Sequence, residues 1–177
     1  IMRGDLDGVG LTQLFTASTT QEGTQIRLDW TPAPWDNYAV LTDQYEITPD
    51  GSRVVFRARI DGAYRLLSAP VTGGPAIHLS PVSSADVAYF ELLPDGTQVV
   101  YTSDIEGGEW ELHLASTSQE GTSVRITDLQ AGSAYIDEGK FTVSGDGSEV
   151  LYVAKFHTAN PGQFLRRPIN PLGSQAA

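Results

Sequence analysis

Phe90-Glu91-Leu92-Leu93-Pro94-Asp95-Gly96-Thr97-Gln98-Val99-Val100-Tyr101 is the stretch that decides the fold. Asp-Gly between two β-rich runs is a hairpin signal, because glycine accepts a positive φ at little cost and aspartate tolerates it. The run after the turn is apolar without alternation, which is how a strand buried on both faces reads. The same arrangement occurs at Tyr45-Glu46-Ile47-Thr48-Pro49-Asp50-Gly51, followed by Arg53-Val54-Val55-Phe56. It occurs again at Phe141-Thr142-Val143-Ser144-Gly145-Asp146-Gly147, followed by Glu149-Val150-Leu151-Tyr152. The three Asp-Gly pairs are 45 and 51 residues apart.

A second alignment gives the same period. Residues 14–29 (LFTASTTQEGTQIRLD) match residues 112–127 (LHLASTSQEGTSVRIT) at nine of sixteen positions, at an offset of 98, or two repeats. After the Val-Val strand each repeat has a polar turn, Ile60-Asp61-Gly62 or Glu106-Gly107-Gly108. A third strand then begins near an aromatic, Tyr64, Trp110 or Phe164. A glycine turn leads to a fourth short strand: Ile26-Arg27-Leu28, Ile77-His78-Leu79 or Val124-Arg125-Ile126. Four short antiparallel strands per repeat make one propeller blade. No stretch keeps a helical apolar period, so the fold class is all-β, a β-propeller with about three to four blades present. A plain β-sandwich would not give two independent alignments with one period.

These repeats resemble the TolB-type, WD-like propeller repeat, with its aromatic strand, Pro-Asp-Gly turn, Val-Val-Phe strand and Gly-Gly turn before a short Leu-Ser strand. Residues 45–80 and 90–127 carry the pattern well, 141–172 loosely with Gly145 in the proline position, and 14–29 only its second half. The resemblance implies a fold rather than an activity. It also implies a bacterial periplasmic or extracellular setting. The expected organisation is a lead-in at 1–9, blades over 10–172 (a half blade at 10–29, blades at 45–80 and 90–127, an incomplete blade at 141–172) and a tail at 173–177. About thirteen strands are expected, too few to close a ring comfortably, with a bare sheet edge at each end. The expectation is a fragment of a longer propeller, or a chain completed by strand-sharing with a second copy or a partner.

Composition narrows the partners. The chain has 177 residues, a net charge of −11 and no cysteine. An acidic surface disfavours nucleic acid and anionic lipid. The missing cysteines exclude disulfides, thiolate catalysis and Cys-type zinc sites. No apolar run approaches the ~20 residues of a membrane span, and the first residues hold no secretory h-region.

Catalytic chemistry finds no motif. A serine hydrolase would need a G-x-S-x-G elbow, and none occurs; Ser144 and Ser148 flank a hairpin turn. His78, His113 and His157 occupy different repeat positions, so no histidine metal site is expected. Asp5-Leu6-Asp7-Gly8 resembles the start of a calcium loop but lacks the third acid and the distal Glu. It reads instead as a turn between the second and third strands of the first, cut blade. Asp50, Asp95 and Asp146 are expected to accept backbone N–H groups within their own turns. No cofactor is expected.

The candidate binding surface is the face where inter-blade connections meet the hairpins between second and third strands. It gathers Trp30, Trp35 and Tyr38 from the first connection, and Asp61, Asp104 and Glu106 from the hairpins. Tyr135 and Asp137 join them from the third connection, read as 128–140. Aromatics beside carboxylates suit recognition; the competing role for the tryptophans is to cap blade ends. The expected function is a non-catalytic module for protein binding or complex assembly. The alternatives are an accessory gating propeller of a prolyl-oligopeptidase-like hydrolase, and a carbohydrate or small-ligand propeller using Trp30 and Trp35 as platforms.

Overall fold

A computed structural model describes residues 2–4, 13–17, 25–28, 39–82, 86–104, 109–127, 134–156, 162–170 and 172. They form fourteen strands in four antiparallel sheets. Blade 1 is β1 (Met2–Gly4), β2 (Gln13–Ala17) and β3 (Gln25–Arg27). Blade 2 is β4 (Ala39–Ile47), β5 (Arg53–Ile60), β6 (Ala63–Pro70) and β7 (Ile77–His78). Blade 3 is β8 (Val87–Leu92), β9 (Gln98–Ser103), β10 (Glu111–Ser116) and β11 (Val124–Arg125). Blade 4 is β12 (Ala134–Val143), β13 (Glu149–Phe156) and β14 (Gln163–Pro168). Within each sheet the strands follow chain order, the meander of a propeller blade.

The repeated turns and the order of strands match the reading in blades 2 and 3, while the starts of several strands differ from it. Met2–Gly4, inside the expected lead-in, pairs with β2 as a strand of blade 1, so residues 5–12 join two strands. The first strands of blades 2 and 4 start at Ala39 and Ala134, inside segments read as connections. Polar residues hide this strand character, and the register breaks between Val40 and Tyr45 and between Ile136 and Phe141.

The unalternating apolar runs are buried on both sides because the sheets stack. Val54, Phe56 and Ala58 face blade 1 and pack with Leu14 and Leu28. Val55, one residue on, faces blade 3 and packs with Val87, Val99 and Tyr101. Val100 and Leu112 then face blade 4, against Phe141, Val150 and Tyr152. The second strands of blades 2 and 3 are therefore each shared between two cores.

The Asp-Gly turns are alike in detail. Gly51, Gly96 and Gly147 each donate N–H to the residue three back, at 2.7–2.8 Å, with φ of 71°, 70° and 73°. Asp50 Oδ1 accepts Thr48 Oγ1 at 2.6 Å and Ser52 N at 3.0 Å. Asp146 repeats this with Ser144 and Ser148. The hydroxyl donors come first among the causes that lower both carboxyls to about 2. Only the glycine takes a positive φ here; aspartate does so at Asp61 alone among the described residues, with φ 49°.

These turns also stack. A Cβ on Gly96 would stand 2.5 Å from Pro49 Cδ, and one on Gly147 would stand 3.0 Å from Pro94 Cδ. The proline of each turn thus rests on the glycine of the next. Gly51 has nothing within 4 Å of that position. Gly51→Ala and Gly96→Ala share the left-handed cost of about 1–2 kcal/mol. Gly96→Ala should lose a further ~1–3 kcal/mol by overpacking. Urea unfolding of both variants checks this, and equal losses would mean that the turns do not bear on each other.

Candidate functional site

Blades 2 and 3 meet at a face where Asp61, Asp104 and Asp86, just before β8, lie close together. Asp61-Gly62 is a two-residue hairpin between Ile60 and Ala63, both central residues at positive φ, as a primed turn requires. Asp104 follows β9, and its Oδ1 accepts the Asp86 N–H at 2.5 Å. Asp86 Oδ1 in turn accepts the Tyr64 N–H of blade 2 at 2.7 Å. Asp86 is therefore one of the links that tie the third strand of blade 2 to the start of blade 3. The sequence reading missed it, because one acid in a polar connection carries no local signal.

Beneath the carboxylates lies Arg65, which is buried. Burial lowers its pKa, while Asp86, Asp104 and Asp61 act in the opposite sense. The arrangement is an acidic ledge over a buried guanidinium. Arg57 lies on the same seam. It is buried, donates to Gln44 Oε1 of its own blade and to the Ala88 carbonyl of blade 3, and sits 4.9 Å over the Tyr64 ring.

Among the expected recognition residues, Asp61 and Asp104 come together here, around Arg65. Tyr135 and Asp137 belong instead to β12, where Tyr135 pairs with Lys155 in register. Asp137 holds Lys155 Nζ at 2.9 Å, an intra-blade pair that raises the lysine. Trp30, Trp35, Tyr38 and Glu106 lie outside the described residues, as do Asp5, Asp7 and His157.

Of the described histidines, His113 has core surroundings. His113 is buried in β10, stacked 5.3 Å from Tyr101. Burial, then the nearby Arg125 charge, brings it down to about 4, so the ring is neutral at pH 7. Among the described residues, no three His, Asp or Glu side chains group so as to hold a metal ion.

A second surface stands out at the open side of blade 4. Leu151 occupies the repeat position of Val55 and Val100, and Phe164 that of Leu66 and Leu112, by the registers with Val153, Arg57 and Thr102. Those four equivalents are wholly buried, whereas Leu151 is 43% and Phe164 86% exposed. Val153, paired with Phe164, extends this apolar face.

No protein-family profile matches the chain, and no curated protein sequence matches it. Solved structures do. A TolB from Agrobacterium tumefaciens matches with a TM-score of 0.57 and 18% identity, over 88% of this chain and 51% of that one. TolB from Acinetobacter baumannii matches with a TM-score of 0.57 and 17% identity, over 90% of this chain and 36% of that one. The chain thus spans about half and about a third of those two proteins. At this level of identity the likeness speaks for architecture, and the architecture is that of stacked TolB-type β-propeller blades.

Proposed function

We propose that the chain is a non-catalytic propeller module for protein binding and assembly, working in the bacterial periplasm or at the cell surface as its TolB-like blades suggest. One observation bears on the reading: Leu151 and Phe164 of blade 4 stand at the positions that a neighbouring sheet seals in blades 2 and 3, so this face is built to receive a further sheet, whether of a longer chain or of a partner. An exposed apolar patch of this kind marks an interaction surface. The partner it fits is another β-sheet face rich in valine and aromatic side chains, as on blades 3 and 4. The acidic ledge is the second exposed feature, but Asp86 and Asp104 are already engaged in joining blades.

Light scattering over a range of concentrations tests the assembly role with a second copy as partner. The chain should associate as concentration rises. Leu151→Ser with Phe164→Ser should return it to a monomer, with little change in unfolding midpoint because both side chains are exposed. A folded monomer at every concentration, unaffected by the double change, would remove self-assembly from the reading.

A further inference from the structure

The outer rim of the module holds a site that one blade junction has and another has closed. At the junction of blades 1 and 2, Ile26 Cγ2 lies 2.6 Å from where a Cβ on Gly73 would stand. Isoleucine there fills the space that glycine leaves. Gly73 precedes the first residue of β7 by four positions, and Glu120 precedes the first residue of β11 by four, so Glu120 takes its place in blade 3. Ile77, the counterpart of Ile26, turns inward and packs on the core between blades 2 and 3. Among the described residues, no side chain fills the rim groove. It holds a cavity of about 260 Å³, bounded by Leu79, Pro81 and Val82 of blade 2 and by Glu120 and Ser123 of blade 3.

The lining is mostly apolar, with Val82 61% exposed. Its polar groups are few, as in a small-molecule site. Ser123 Oγ is engaged with the Tyr101 hydroxyl at 2.5 Å. Glu120 Oε1 accepts the His78 N–H at 3.2 Å, which occupies one of its two oxygens. The His78 ring, also in the lining, is kept low in pKa by burial and by Arg65, against the pull of Glu120. Arg65 itself is faced by Asp86, Asp104 and Asp61. The formal charge in the cavity wall is therefore the Glu120 carboxylate.

We propose that this rim cavity binds a small alkylammonium group, its methylenes along Leu79, Pro81 and Val82 and its charge on Glu120. The combination of aliphatic wall and carboxylate matches a stem that is apolar and a head that is cationic. Such a group is carried by a free amine or by a lysine side chain.

The test follows backbone amide shifts of the full chain during titration with n-butylammonium chloride. Shifts should concentrate at His78, Val82 and Glu120 and should saturate. n-Butanol, with the same stem and no charge, should bind at least tenfold more weakly. Glu120→Gln keeps an oxygen for the His78 N–H and should weaken butylammonium binding about tenfold, the size of one charge-assisted hydrogen bond. Nα-acetyl-lysine methylamide separates the sources: tighter binding than butylammonium points to a protein lysine, weaker binding to a free amine. Absent shifts, equal binding of the alcohol, or an unchanged Glu120→Gln variant would each overturn the proposal. The comparison of amine with alcohol on the unaltered chain stands whatever the variant does.

Discussion

Replacing Tyr101 by alanine is expected to destabilise the module by about 3–5 kcal/mol, the range for emptying an aromatic site in a packed core. Tyr101 is wholly buried and lies in the core shared by Val55 and Leu66 of blade 2 and Val99 and Ala115 of blade 3. Its loss opens a void at a junction that no loop can collapse to fill, because both walls are hydrogen-bonded sheets. The hydroxyl is a smaller part: burial raises it to about 12 and Ser123 Oγ is its partner. Tyr101→Phe should therefore cost only about 1 kcal/mol, the net worth of one hydrogen bond. Urea unfolding of the three proteins separates volume from hydroxyl. A loss below ~1.5 kcal/mol for the alanine variant would mean that blades 2 and 3 do not share this core.

The same substitution has a spectroscopic readout. His113 stacks on Tyr101 and is held near 4 first by burial. Water entering the vacated space would raise its pKa toward the ordinary 6.5. An NMR titration of the ring would show this directly. The sign for stability follows. The unfolded chain takes up a proton near 6.5 and the folded chain only near 4, so burying a neutral His113 favours the fold fully above about 6.5. That contribution declines as pH falls toward 4.

Tyr101 also shows why the blades were legible in the sequence. It stands in Gln98-Val99-Val100-Tyr101, a run whose lack of alternation can be satisfied only by burial on both faces. With the Asp-Gly turns fixed by one glycine each, that pattern and its period suffice for the meander. The site was less legible. Asp61 was readable because Asp-Gly is a turn signal in itself. Asp86 was not, since its importance lies in reaching Tyr64, 22 residues earlier, across a blade junction. Tyr135 and Asp137 were misplaced because Asp, Glu and Gly at 137–139 look like a loop, while the chain accommodates them as an irregularity inside β12. The rim cavity depends on what fills Gly73's equivalent, a comparison that needs the register and not the residue type.

Arg57 carries the second large effect. It sits on β5 at the position taken by Thr102 in blade 3 and Val153 in blade 4, so its role is special to one junction. Its guanidinium bonds Gln44 of its own blade and the Ala88 carbonyl at the start of the next, over the Tyr64 ring. A buried cation is costly unless its donors are met, and here Nη1 bonds groups on both sides of the seam. Arg57→Ala would remove hydrogen bonds from a charged donor, worth about 1.5–3 kcal/mol each, and leave the Ala88 carbonyl without that donor in a partly buried place. The expected loss is about 3 kcal/mol. Arg57→Lys should fall between, because an ammonium keeps the charge but sits on a shorter stem than Nη1, which bonds both Gln44 and Ala88. Hydrogen exchange adds the spatial test: opening should localise to β8 and to the Tyr64 end of β6, where Asp86 makes a second polar link between the blades. If Arg57→Ala instead lost less than about 0.5 kcal/mol, the ordinary range for surface changes, the junction would be held by its apolar core alone.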